Sequence, residues 1–213
     1  MRETNRIALV TGGTHGIGRE TVRQLAEAGV HTILACRNRE GALDTAREFQ
    51  ASGLPVVALP LDISNQSAIS KIADAVQRRH GHLDILINST GAVSYGDADA
   101  APPSFDAHLL GLIAVTQAFL PLLHRSSAGC IINVAAGTHA PPPPASSRHV
   151  SRTEPCSGSK SAINAWTMHL VHELRGTNVR VHSVIPGKTS VGTIDVAEGA
   201  RTSVKLALFS AVV

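Results

Sequence analysis

Ile7-Ala8-Leu9-Val10 runs directly into Thr11-Gly12-Gly13-Thr14-His15-Gly16-Ile17-Gly18, and a helix-period segment, Arg19 to Ala28, follows. A glycine-rich turn between a buried strand and a helix is a phosphate site with a mechanism. The glycines let backbone approach a pyrophosphate, and the helix N-terminus offers unpaired N–H groups and the positive end of a dipole. Gly12, Gly16 and Gly18 are spaced G-x-x-x-G-x-G rather than G-x-G-x-x-G. Glycine also builds ordinary tight turns, so these residues alone leave both readings open. The strand before and the helix after favour the nucleotide.

The same alternation continues along the chain. Ile7–Val10, Thr32–Ala35, Val56–Leu59, Ile85–Asn88, Cys130–Val134 and Val179–Ile185 read as strands. Most are unbroken apolar runs, which is what a parallel strand needs when helices cover both faces of its sheet. Amphipathic stripes lie between them: Val22, Leu25 and Ala26; Leu43, Ala46 and Phe49; Ile69, Ile72, Ala73 and Val76; Leu109, Leu112, Ile113, Leu120 and Leu123; Ile163, Trp166 and Leu170. Strands alternating with such helices imply right-handed crossovers and a doubly wound α/β (Rossmann) parallel sheet with helices on both faces. A ligand is then expected outside the carboxyl ends of the strands, near the switch point beside the first strand.

A chain of 213 residues can bury a sizeable core, and 43% hydrophobic with 16% charged residues reads as soluble and globular. The net charge of +3 is mild, and no Lys/Arg run is interleaved with aromatics, so nucleic acid is not expected as a partner. Cys36, Cys130 and Cys156 are far apart and form no Cys-x-x-Cys pair, which disfavours structural zinc or a disulfide framework. Met1-Arg2-Glu3-Thr4-Asn5 leads into the first strand without a signal-peptide core. The longest greasy segment, Leu109–Leu123, is too short to span a bilayer and is interrupted by Thr116, Gln117 and Pro121. A cytoplasmic protein without membrane contact is expected.

Two features break the pattern. Residues 137–155 contain Pro141-Pro142-Pro143-Pro144 and a Ser/Arg/His tract, at the carboxyl end of the fifth strand. The segment reads either as a surface insertion or as a lid, stiffened by extended polyproline geometry. Histidine is frequent, but His80/His82 flank a turn glycine, and His169 and His172 have no acidic or cysteine partner at a convincing spacing. The two helix histidines, His169 and His172, read as exposed, and no metal site is expected.

Taken in order, the motifs resemble the short-chain dehydrogenase/reductase family, in particular its carbonyl-reductase-like branch. They are the Thr-Gly-x-x-x-Gly-Ile-Gly turn, Cys36-Arg37 after the second strand, Leu61-Asp62 after the third, Asn88-Ser89-Thr90-Gly91, Lys160 in Cys-Ser-Gly-Ser-Lys, and Pro186-Gly187 after the sixth. The similarity covers nearly the whole chain and implies one NAD(P)-binding domain over residues 1–213. It implies that Gly12, Thr14, Gly16, Ile17 and Gly18 hold the cofactor pyrophosphate, and that Asp62, beside Ile63, accepts from the adenine amino group. Asn88 would line the nucleotide cleft, Pro186 and Gly187 would border the nicotinamide, and Thr189 would lie near the carboxamide.

Cofactor choice has its own physical argument. An acid after the second strand would accept from a free ribose 2′-hydroxyl and repel a 2′-phosphate. Arg37 stands there instead, and His15 occupies a position that is often basic in NADP-binding relatives. A guanidinium suits a phosphate bidentately, so NADP(H) is favoured over NAD(H). A solvated surface arginine is the bland alternative.

The catalytic positions depart from the family. Its chemistry uses a proton-donating tyrosine, a lysine four residues later, a carbonyl-polarising serine and a water-holding asparagine. Here the tyrosine position is Cys156 and the serine position is the inert Ala136. The asparagine position is His108, in a region about one helical turn short. Lys160 alone remains. Three readings stay open. The chain reduces a small-molecule carbonyl with altered catalysts, taking the proton from water, His108, His139 or His149. Or Cys156 is a reactive thiol beside Lys160, although a lone cysteine is more often a buried filler. Or the chain binds NADP(H) without turnover, as a pseudoenzyme, regulator or inactive partner of an active homologue. Phe209–Val213 reads as a stub of the family's further strand, so the sheet is expected to be truncated at its C-terminal edge. The apolar Leu109–Leu123 helix fits a homodimer contact and burial within the monomer equally.

Overall fold

Strands with apolar side chains on both faces can be buried only between two helical layers. The computed structural model describes residues 6–89, 105–135, 155–186 and 195–209, with 105–108 and 155–160 as backbone only. The elements run β1 (Ile7–Thr11), α1 (Gly16–Glu27), β2 (His31–Cys36), α2 (Arg39–Ala51), β3 (Val56–Pro60), α3 (Gln66–His80), β4 (Ile85–Asn88), α4 (Phe105–Leu123), β5 (Gly129–Val134), α5 (Pro155–Glu173), β6 (Val179–Val184) and α6 (Val196–Leu208). The strands form one parallel sheet in the order β3-β2-β1-β4-β5-β6. Strands are added outward on one side of β1 up to β3 and on its other side from β4 onward, which puts the switch point beside the first strand. Among the described residues β6 is the last strand on its side.

Side chains alternate along each strand between two apolar layers. Leu9, Ile33, Leu86 and Ile131 pack beneath α3, α4 and α5, against Ile69, Val76, Val115, Phe119 and Leu170. Val10, Leu34, Ile87 and Ile132 face α1, α2 and α6, against Val22, Leu25, Phe49 and Val204. On the helices two sequence expectations shift, one by a single residue and one by three. On α2 it is Ala42, not Leu43, that joins Ala46 and Phe49 in the core. The α1 helix begins at Gly16, three residues before Arg19, because the Arg19 N–H already bonds His15 O at 3.1 Å. Residues 136–154 and 210–213, and with them most of the proline-rich segment and the C-terminal stub, lie outside the described residues.

The amino end of the sheet is tied by one carboxylate. Asp84 accepts from Ile7 N at 2.7 Å and from Ser126 Oγ at 2.5 Å, and His82 Nε2 lies 3.2 Å away. Arg6 donates to Ala207 O at 2.7 Å, satisfying a carbonyl at the end of α6. Cys130 is a core filler on β5, and burial pushes its thiol up to about 11. His169 and His172 on α5 are exposed. No described helix is long and apolar enough to cross a membrane.

Burial lowers the imidazole pKa of His31, His80 and His182, and neighbouring cationic groups, Arg79 for the first two and Arg180 for the third, push the same way. The folded state therefore holds fewer protons than the unfolded chain as pH falls through the ordinary histidine range. Their contribution is full above about pH 6.5 and is lost progressively below it. Urea-unfolding free energies are expected to decline from about pH 7 to 5.5, with a shallower decline in His80→Gln. A flat profile in the wild type would contradict this assignment.

Candidate functional site

Parallel strands bring all their carboxyl ends to one edge of the sheet, so every motif that follows a strand meets there. One register row crosses that edge, Ala35–Thr11–Asn88–Asn133–Ser183. The glycine turn follows β1, Arg37 follows β2, Asp62 and Ile63 follow β3, Asn88 ends β4 and Pro186 follows β6.

The turn is built by two kinds of glycine. Gly12 and Gly16 have φ of +68° and +50°, the left-handed region where a side chain is strained. Gly13 and Gly18 are there for room. A Cβ on Gly18 would lie 2.3 Å from Gly12 O, and one on Gly13 would lie 2.9 Å from Leu34 Cγ. Gly13 is a residue the motif reading passed over; its only sequence signal is the doubled glycine. Gly12 N donates to Ala35 O at 2.9 Å, anchoring the turn to β2. Thr11 Oγ1 accepts from Ser89 N at 3.1 Å, anchoring it to the end of β4.

The N-terminus of α1 is left open. Asn38, Asn65 and Asp195 cap α2, α3 and α6 with side-chain oxygens, whereas His15 at the cap of α1 makes no such bond, and the first turn holds no acid. Its first N–H groups and positive dipole end are thus left without a capping side chain at the carboxyl edge of the sheet. The Thr14 hydroxyl is buried and lies 2.9 Å from His15 Nδ1 and 3.3 Å from Cys36 Sγ, so the turn is tied to the end of β2. His15, Gly16 and Arg37 are exposed and Ile17 is half-buried.

Asp62 Oδ1 accepts from Ser64 N at 3.0 Å and from Ser64 Oγ at 2.7 Å. These bonds, with the Arg37 guanidinium adding to them, hold its carboxyl below the ordinary range. Ile63 carries the loop against α4, where a Cβ on Gly111 would meet Ile63 O at 2.7 Å.

Asn88 is 1% exposed, and its amide is part of a buried chain of polar groups. Asn88 Nδ2 donates to Thr116 Oγ1 on α4 at 3.1 Å and to Asn133 Oδ1 on β5 at 2.9 Å. Asn133 Nδ2 donates to Thr167 Oγ1 on α5 at 2.8 Å. Among the described residues Asn88 Oδ1 has no partner, which leaves a buried acceptor at the edge of the cleft. Asn133, Thr116 and Thr167 were not legible as a set. Their signal is a polar residue placed where an apolar run or stripe predicts a buried one.

The backbone places Cys156 and Lys160 one turn apart in the first half of α5, on one face. Their side chains, that of His108, and Ala136, Gly187 and Thr189 lie outside the described residues.

A family model for short chain dehydrogenases matches residues 6–199. An uncharacterised oxidoreductase of Staphylococcus saprophyticus is 30% identical over 190 residues, 86% of this chain and 78% of that protein. One from Staphylococcus aureus is 31% identical over the same shares. A solved metagenomic short-chain oxidoreductase in complex with NADP is 28% identical, with a TM-score of 0.81 over 97% of this chain and 92% of that one.

The glycine geometry predicts a graded response. Gly16→Ala meets no atom within 4 Å but keeps a positive φ, which should cost about 1–2 kcal/mol. Gly18→Ala must displace the Gly12 carbonyl and should cost more than Gly16→Ala, at about 3 kcal/mol. Urea titration of the two variants checks the order; the reverse order would mean that the turn is built differently.

Proposed function

The chain belongs to the short-chain dehydrogenase family of oxidoreductases, and from that premise we propose that it binds NADP(H) and reduces a small-molecule carbonyl with a depleted catalytic set. One observation carries the cofactor half. Among the described helices with an assigned N-cap, α1 alone has no capping side chain, and it opens from a turn whose glycines admit a close-approaching ligand. That is the arrangement a pyrophosphate fits. In this reading Gly12, Thr14, Gly16, Ile17 and Gly18 hold the pyrophosphate. Asp62 and Ile63 meet the adenine, Asn88 lines the cleft, and Pro186, Gly187 and Thr189 border the nicotinamide. Arg37 and His15 favour the 2′-phosphate, and Arg37 is exposed and close enough to influence Asp62. The NADP bound in the metagenomic relative supports the same choice.

When bound, reduced nicotinamide supplies the hydride; the chain must supply orientation and a proton. Lys160 is suited to the ribose. Cys156 and Ala136 stand at the proton-donor and carbonyl-polarising positions and provide neither group in the family's form. Low or atypical turnover follows, and the same substitutions support the second reading, a cofactor-binding pseudoenzyme or partner of an active homologue. Leu112, Val115, Phe119, Leu122 and Leu123 of the Leu109–Leu123 helix are buried within the monomer, and the exposed Leu110, with Met168 and Val171 of α5, supports a homodimer contact on the remaining face of this helix pair.

Fluorescence titration should show NADPH bound more tightly than NADH, with Arg37→Asp weakening NADPH on the order of tenfold and sparing NADH. A carbonyl panel should show little turnover, rising about 100-fold or more in Ala136→Ser/Cys156→Tyr. A protein that binds neither nucleotide defeats the proposal. Ordinary family turnover in the wild type defeats its catalytic half. In sedimentation, the wild type should be dimeric and Leu110→Glu should shift towards monomer; a monomeric wild type rules out the helix contact.

A further inference from the structure

The amide chain at the carboxyl ends of β4 and β5 has only one self-consistent arrangement. Thr116 Oγ1 donates to Leu112 O at 2.9 Å, and Thr167 Oγ1 donates to Ile163 O at 2.6 Å. Each threonine has thereby used its single proton and can only accept from its asparagine. Asn133 must then turn Nδ2 towards Thr167 and Oδ1 towards Asn88, and Asn88 must spend both amide protons, on Thr116 and on Asn133. Flipping the Asn133 amide would set NH2 against NH2. Both ends of the chain rest on helix carbonyls, and the two asparagines are register partners on adjacent strands. Asn133 is fully buried, and Asn88, Thr116 and Thr167 are each 1% exposed, so water cannot readily replace a lost bond.

We infer that Asn88 and Asn133 are positioning residues that lock α4 and α5 into one unit across the ends of β4 and β5. The helix so placed carries Cys156 and Lys160 in its first turns, so the lock sets where those residues stand relative to the glycine turn. That consequence rests on the cofactor reading above; the lock itself does not. The alternative is two independent satisfactions of buried amides, in which disturbing α4 leaves α5 in place.

Trp166, the sole tryptophan, precedes Thr167 on α5 and packs near Leu112 and Ile163. Thr116→Val removes the acceptor on α4 and keeps the volume, whereas Thr116→Ser keeps the hydroxyl and loses a methyl group. In the full chain, Thr116→Val should shift Trp166 emission by several nanometres and speed amide exchange over residues 163–170 roughly tenfold. Thr116→Ser should match the wild type in both. Unchanged emission and α5 exchange in Thr116→Val, or equal effects of the two variants, overturn the lock. Should Thr116→Val not fold, wild-type exchange decides: residues 112–116 and 163–167 should open together with one urea dependence, and independent opening overturns the inference. NADPH affinity should fall severalfold in Thr116→Val. Absence of NADPH binding in the wild type would sink the cofactor reading, with the Trp166 and exchange results still deciding the lock.

Discussion

A parallel sheet covered by helices on both faces admits polar side chains at little cost only where its strands end. The middle of every central strand here is apolar on both sides, so the polar groups gather at the two edges. At the amino edge a single carboxylate, Asp84, joins the start of β1 to the loop before β5. At the carboxyl edge Thr11, Asn88, Asn133 and Ser183 stand in one register row. The cleft is thus a consequence of how the sheet is buried.

The glycine turn meets this edge under two separate demands. Backbone must reverse sharply between β1 and α1, which Gly12 and Gly16 permit through positive φ. The helix must also start close against the turn and the end of β2, which Gly13 and Gly18 permit by having no Cβ. Together they bring an uncapped helix end to the place where the strands deliver Arg37, Asp62 and Asn88. Capping oxygens on α2, α3 and α6 show what the other helix starts do with the same orphan N–H groups.

A scaffold and the reactive groups set on it draw largely on different residues, so one can change without the other. The turn, the strand-end residues and the two-faced core belong to the scaffold. In the proposed reading, Ala136 and Cys156 stand at the positions where the family places its carbonyl-polarising and proton-donating groups. On that reading the folding pattern is kept while the proton-transfer groups differ.

The sequence by itself determined the strand-helix alternation, the two-sided burial of the sheet and the edge at which the motifs meet. Local periodicity and turn chemistry suffice for these, because each strand carries its own apolar run and each helix its own stripe. It also determined which residue types stand at positions 136, 156 and 160, since residue identity needs no fold. Only the tertiary structure decided that Gly13 and Gly18 are required for space, because the Leu34 side chain and the Gly12 carbonyl that demand it approach through packing. It alone turned the helix threonines, which read as breaks in apolar stripes, into partners of Asn88 and Asn133. Those four residues come from two strands and two helices, and no pattern along the chain records which buried amide will meet which hydroxyl.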